Sequence, residues 1–197
     1  MATNVFISFR FSDGHIYKED LSKRFTNFND TVDYSEDVDR SFMSESTIKS
    51  YLYKKLRRSS VTIVLLTPNA INHIKDRWGN YSDWMYDELR YSLEDRENNR
   101  TNGLVAVYTK EAEKYLIERK LGSIVVKNVD NLFRANMMNV KAVYKKNPHA
   151  EQFDGLYDSY CSLVSYDDFI KDISKYINNA IMKRDEKYKY DIVRRLV

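Results

Sequence analysis

The run Val61-Thr62-Ile63-Val64-Leu65-Leu66, bounded by Ser60 and Pro68, constrains this chain more than any other feature. It lacks the strict apolar-polar alternation of a half-exposed strand, so a strand formed here must be covered on both faces. Val5-Phe6-Ile7-Ser8-Phe9 and Leu104 to Tyr108 have the same character. Between these runs lie stretches with helical spacing: Leu21, Phe25 and Phe28, then Ile48, Tyr51, Leu52 and Leu56, then Met85, Leu89, Ser92 and Leu93. Strands buried on both faces, alternating with amphipathic helices, imply a parallel sheet between two helix layers. Right-handed crossovers then set the winding. The expected fold class is α/β, a flavodoxin-like three-layer sandwich with a mostly parallel central sheet.

The remaining elements follow from local signals. Asp13-Gly14 is expected to break the chain after the first strand, with a helix from Tyr17 to Phe28. Thr31 to Tyr34 reads as a short strand and Ser35 to Thr47 as a long polar loop. Ser46 or Thr47 is placed to cap the second helix, and Ser82 or Asp83 the third. Asn69 to Tyr81 reads as irregular, Glu111 to Lys120 as a helix and Ser123 to Val129 as a strand; Asn131 to Asn147 has no clear period. Ser162 to Tyr166 reads as the last strand. It enters a final helix through Ser165-Tyr166-Asp167-Asp168, a capping-box pattern. At 197 residues one domain is expected. It spans 1–182, with 110–165 as decoration, and the charged tail 183–197 is expected to prolong the last helix.

Composition excludes several classes. With 32 basic and 29 acidic residues the chain is near balance, which gives no case for nucleic acid as a partner. The longest apolar run is far short of the roughly 18 residues of a membrane span. The chain opens Met-Ala-Thr-Asn and enters a strand without the basic and apolar regions of a signal segment. Cys161 is the only cysteine, and His15, His73 and His149 are scattered without ligand spacing, so no metal site is expected. A cytoplasmic protein fits all of these. The 16 tyrosines suit a surface for stacking or self-association.

Ser82-Asp83-Trp84-Met85-Tyr86-Asp87-Glu88-Leu89 carries the one catalytic signal. Trp84, Glu88 and Tyr91 stand at i, i+4 and i+7 and share a helix face. Loops at the carboxyl ends of parallel strands meet over one crevice, where ligands bind. A glutamate in the first turns of a helix can equally serve the helix dipole alone. An acidic phosphoacceptor pocket built on Asp13, Asp37 and Asp39 is rejected, because the third strand ends Leu66-Thr67-Pro68 without an aspartate.

Taken together, Phe6-Ile7-Ser8-Phe9-Arg10 with Ser12-Asp13-Gly14, Ser60 to Thr67, and Ser82, Trp84 and Glu88-Leu89 give the chain a family likeness over roughly its first 110 residues. It resembles the TIR domain family, and within it the bacterial TIR-like proteins of Thoeris antiphage defence. The segment Asp33 to Thr47 sits where that family has its BB loop. Met85 departs from the cysteine or valine that often follows the tryptophan. The stretch before the motif, Asn69 to Tyr81, is longer than in many relatives.

The resemblance implies an enzyme that cleaves the bond between nicotinamide and ribose in NAD and makes an ADP-ribose-derived signal. NAD is then substrate and no resident cofactor is implied. The implied partners are a phage-derived trigger, an effector reached through the diffusible product, and further copies of the chain in a homo-oligomer. Glu88 would bind the ribose hydroxyls and stabilise the positive charge that develops on the sugar. Trp84 or Phe9 would stack on a base, Arg10 would meet the pyrophosphate, and Ser44 and Ser46 would close over the ligand. Asp13 and Ser82 complete the candidate pocket. Each has a plain structural alternative: Phe9 and Trp84 as core anchors, Arg10 in an ion pair, Asp13 in a turn, Ser82 as an N-cap. A non-catalytic adaptor that assembles through the BB loop is the alternative function.

Overall fold

The computed structural model describes residues 3–27, 31–33, 45–95, 100–120 and 123–197. In chain order its elements are β1 (Thr3–Ser8), α1 (Phe11–Asn27), β2 (Thr31–Asp33), α2 (Glu45–Arg58), β3 (Val61–Leu66) and α3 (Trp84–Leu93). Then come β4 (Gly103–Tyr108), α4 (Lys110–Leu116), β5 (Ile117–Lys120), β6 (Ser123–Val126), α5 (Leu132–Ala135), β7 (Cys161–Ser165), α6 (Tyr166–Lys171) and α7 (Ile173–Asp185). Five strands form one parallel sheet in the order β2-β1-β3-β4-β7. This is the flavodoxin-like order.

Alternation along the strands divides the core in two. Val5, Ile7, Ile63, Leu65, Val105 and Val107 pack with Leu21 and Phe25 of α1, Phe169 of α6 and Ile173 and Ile177 of α7. On the other face, Val64, Leu66, Leu104 and Ala106 pack with Met85, Leu89 and Leu93 of α3 and with Leu132 and Phe133 of α5. Phe6 joins Leu52 and Leu56 of α2 on that second face. Ser8 follows Phe6 by two residues, and its partner in register is Val64. It is therefore a hydroxyl on the α3 side of the sheet.

Several expectations need correction. Asp13-Gly14 does not break the chain but lies in the first turn of α1. A Cβ on Gly14 would stand 3.1 Å from Phe9 Cδ2 and 3.3 Å from Phe9 Cβ, so the glycine serves close packing. Glu111 to Lys120 is helical only through Leu116, after which β5 and β6 form a separate antiparallel pair. The strand from Ser123 ends at Val126. The single final helix is two: Ser165 caps α6, and Asp172 interrupts and caps α7 by accepting from Lys175 N.

The tail does not prolong α7, which ends at Asp185. It turns back over the protein's own core. Val193 N donates to Asn136 Oδ1 at 2.9 Å and Arg194 Nε to Leu93 O at 3.0 Å. Ile192 and Leu196 pack on the α3 side of the core. Covering apolar residues at home removes them from water.

Two tight points sit where α7 crosses β4 and β7. A Cβ on Gly103 would lie 2.2 Å from Ala180 O, so no larger residue fits. Lys183 is fully buried, with Nζ donating to Ser162 Oγ. Burial pulls its pKa down to about 7, against smaller opposing effects from Cys161 and Asp154. The unfolded chain therefore binds a proton that the folded chain gives up. Stability should rise with pH between about 7 and the usual lysine value of 10.5, and stay flat with respect to this group below that window. In Lys183→Met this rise should disappear from urea midpoints measured across the window, with the variant more stable than the parent at neutral pH.

Candidate functional site

The strand order reverses at β1 and β3, where the connections leave to opposite faces of the sheet. From β1 the chain passes to α1. From β3 it passes through residues 67–83 to α3, which starts near the carboxyl ends of the strands. The crevice expected at such a point is bounded by Ser8, by Thr67 and by the first turns of α3.

Glu88 faces the sheet from the second turn of α3. It is buried, with only 8% of its surface exposed, and its Oε2 accepts from Ser8 Oγ at 2.6 Å. A polar seam continues below it. Ser92 Oγ approaches both Glu88 O and Thr62 Oγ1 at 2.8 Å, and Asn102 Nδ2 donates to Thr62 Oγ1 at 3.2 Å. Hydroxyls in the strands and a carboxylate on the helix thus meet each other, as buried polar groups must.

Asp83, rather than Ser82, caps α3: its Oδ1 accepts from Met85 N at 2.8 Å. Its Oδ2 gathers three donors: Arg10 Nη2 at 2.8 Å, His73 Nδ1 at 3.0 Å and Ile74 N at 3.0 Å. The side chains of Asp83 and His73 are fully buried. Burial alone would raise the Asp83 carboxyl, but the His73 and Ile74 bonds and the Arg10 charge together hold it below the usual range. His73 Nε2 accepts from Leu132 N at 3.1 Å, so the ring proton sits on Nδ1. The ring packs edge-on against Tyr81 and Tyr86.

A groove of about 440 Å³ runs along the start of α3, lined by Lys49, Tyr81, Ser82, Asp83, Trp84 and Asp87. That size falls in the range of small-molecule sites, roughly 300–1,000 Å³. Trp84 is 38% exposed, with Lys49 Nζ 5.7 Å from its ring centroid. Lys49 also pairs with Asp87 at 3.4 Å.

The candidate residues divide accordingly. Glu88, Trp84 and Ser82 lie together on α3 and its approach, with Ser82 exposed on the groove. Ser46 is exposed in the first turn of α2. Ser44 lies outside the described residues, as does most of the proposed BB loop. Phe9 packs on the α1 side of the core, 6.2 Å from the Phe11 ring. Arg10 donates from Nε to Asn69 O at 3.0 Å and from Nη2 to Asp83, which makes it a structural clamp. Asp13 accepts from Thr67 Oγ1 at 2.7 Å and Asn69 N at 3.0 Å, tying α1 to the end of β3.

Three residues that hold the site were not among the candidates. Ser8 is visible in sequence as the hydroxyl that interrupts an apolar strand. Asp83 is visible in sequence as one of the two expected caps of α3, but not as a site residue. For His73 no signal exists, since its partner Leu132 is 59 residues away. Among the described residues no group of His, Cys, Asp and Glu side chains is placed to hold a metal ion.

A parallel sheet in this order, with a carboxylate on α3 bonded to the end of β1 and a tryptophan one turn before it, has the form of a TIR-like domain. The chain matches the family model described as Thoeris protein ThsB, TIR-like domain, over residues 6–114. That is more than half of its length, and the chain belongs to this family of Thoeris antiphage defence. A comparison with curated proteins finds no significant match. Among the described residues no helix is long and apolar enough to cross a membrane.

Ser8→Ala removes a hydrogen bond to a buried carboxylate while keeping the backbone. Such bonds contribute about 1.5–3 kcal/mol, and a loss of that order is expected in denaturant unfolding. A change under about 0.5 kcal/mol would show that water replaces Ser8 at no cost.

Proposed function

We propose that the protein cleaves NAD between nicotinamide and ribose, with Glu88 as the catalytic carboxylate. The observation that carries this reading is the Ser8 Oγ to Glu88 Oε2 bond at 2.6 Å. It holds a carboxylate at the carboxyl end of β1, one turn along α3 from a part-exposed tryptophan. Nicotinamide leaves as a neutral molecule, so the reaction needs no general acid. What it needs is an anion beside the ribose as positive charge grows there, as in glycoside cleavage. A carboxylate withdrawn from water and already aimed by a hydroxyl meets that need with little reorganisation. Trp84 offers a face for the departing ring or the adenine.

The product is an ADP-ribose derivative that carries the signal to a separate effector, in keeping with the defence family. Arg10 and Asp13 have other partners, so the pyrophosphate is left to groups along the groove, where Lys49 stands over Trp84. NAD is the substrate, and no resident cofactor enters the scheme. A cytoplasmic location follows from the same reading, since NAD and the effector are met there. One observation favours an adaptor instead. Glu88 is 92% covered and already bonded, as a purely structural tie would be.

Product analysis separates the two. Lysate from phage-infected cells expressing the chain is incubated with NAD, beside Glu88→Gln, which keeps size and hydrogen-bonding reach. Nicotinamide and an ADP-ribose derivative should form with the parent and fall by at least about 10²-fold in the folded variant. No turnover by either protein, with or without infection, would retire the catalytic reading in favour of the adaptor.

A further inference from the structure

Resting on Glu88 as the reacting carboxylate, we propose that Asp83 is the positioning residue that sets it. His73 extends that control to residues 130–132, in the part of the chain beyond the family match. Two bonds join the end of β1 to α3. One is Ser8 to Glu88. The other is Arg10 to Asp83, two residues further along the first segment and five residues back along the second. They act as two rungs between the same two pieces of chain. Asp83 Oδ1 fixes where α3 starts, and its Oδ2 fixes that start against β1 and against the approach loop. A carboxylate that must lie beside a ribose tolerates little error, since a misplacement of about 1 Å can cost about 10²-fold in rate.

The second half of the inference concerns what grips the approach loop. Residues 70–73 are zipped to 130–132 by a run of bonds. Asp130 N donates to Asn72 Oδ1 at 2.8 Å, His73 N to Asp130 O at 2.7 Å, and Asn131 Nδ2 to Ala70 O and Ile71 O at 3.2 and 3.1 Å. The bond from Leu132 N to His73 Nε2 ends on the ring whose other nitrogen holds Asp83. One imidazole therefore passes the position of the 130–132 segment to the carboxylate that caps α3. Displacing that segment, by a partner or by assembly, removes the acceptor's donor and frees the ring to turn away from Asp83. This gives the decorated part of the chain a role in regulating the site.

Two variants test it. Asp83→Asn keeps an N-cap acceptor of the same shape and removes the charge that faces Arg10. His73→Asn keeps an N–H for Asp83 and removes the acceptor for Leu132. In the infected-cell NAD assay, kcat should fall about tenfold or more in Asp83→Asn and severalfold in His73→Asn, with KM within about twofold of the parent. Both variants should melt several degrees below the parent, because each leaves a buried donor unpaired, so the kinetics are compared on protein shown to be folded at the assay temperature. A raised KM with kcat preserved would place Asp83 in substrate binding and overturn the proposal, as would unchanged kinetics in both variants. Nitrogen NMR of the parent supplies a readout free of activity. The ring should show the Nδ1–H tautomer, and Asp83→Asn should change it; an Nε2–H tautomer in the parent overturns the linkage. If the parent and Glu88→Gln are equally inactive, the catalytic reading is what has failed, and the tautomer alone decides the linkage.

Discussion

A carboxylate buried under α3 has to be surrounded by donors, and much of this protein's local architecture answers that demand. An ionised group withdrawn from water is strongly disfavoured unless bonds replace the lost hydration. Asp83 resolves this with four: Met85 N, Ile74 N, His73 Nδ1 and Arg10 Nη2. These four donors come from α3, the approach loop and the end of β1. Satisfying one aspartate thus fixes the relative place of three segments. The helix that carries Glu88 inherits its position from that solution.

Lys183 shows what happens when a buried charge is not so surrounded. It has one hydroxyl partner, Ser162, and burial lowers its pKa to about 7. Both pKa values move down, but with opposite consequences: burial favours the neutral lysine, whereas the bonds and charge around Asp83 favour the ionised carboxylate. The contrast places the difference between the two ends of the sheet in donor supply. At the carboxyl ends of β1 and β3, loops bring backbone N–H groups and basic side chains. Where α7 crosses, Lys183 Nζ meets the Ser162 hydroxyl, and the backbones approach so closely that a Cβ on Gly103 would lie 2.2 Å from Ala180 O.

The parallel sheet was legible because burial on both faces leaves a mark in the sequence itself, and β3 is found where Val61 to Leu66 predict it. Glu88 and Trp84 were legible because a helix puts i and i+4 on one face. What was lost depends on contacts between distant segments. Asp13-Gly14 carries a turn signal, but tertiary packing of Phe9 against α1 overrides it. Phe9 and Arg10 were each open to two readings, as ligand contacts by the resemblance or as a core anchor and an ion-pair partner. The structure gives them a core and an aspartate, and sequence spacing cannot choose between such outcomes. Residues 111–160 were read only in part, with a helix and a strand placed but carried too far, because their elements are short. A four-residue helix and two four-residue strands are too brief for a period to show.

That poorly read quarter is more than padding around a TIR-like core. It supplies Leu132 and Phe133 to the same hydrophobic cluster as Met85 and Leu89. It also brings Asn136, which holds the returning tail at Val193, while the tail's next residue bonds Leu93 at the far end of α3. The helix is therefore held from both ends by residues beyond the family match: through His73 and Asp83 at its start, through Arg194 at its finish. A family core that needed only its own contacts would leave α3 indifferent to the later chain. Here the catalytic candidate sits on an element that the extension holds at both ends, so divergence in that extension can retune the site without changing a residue inside it.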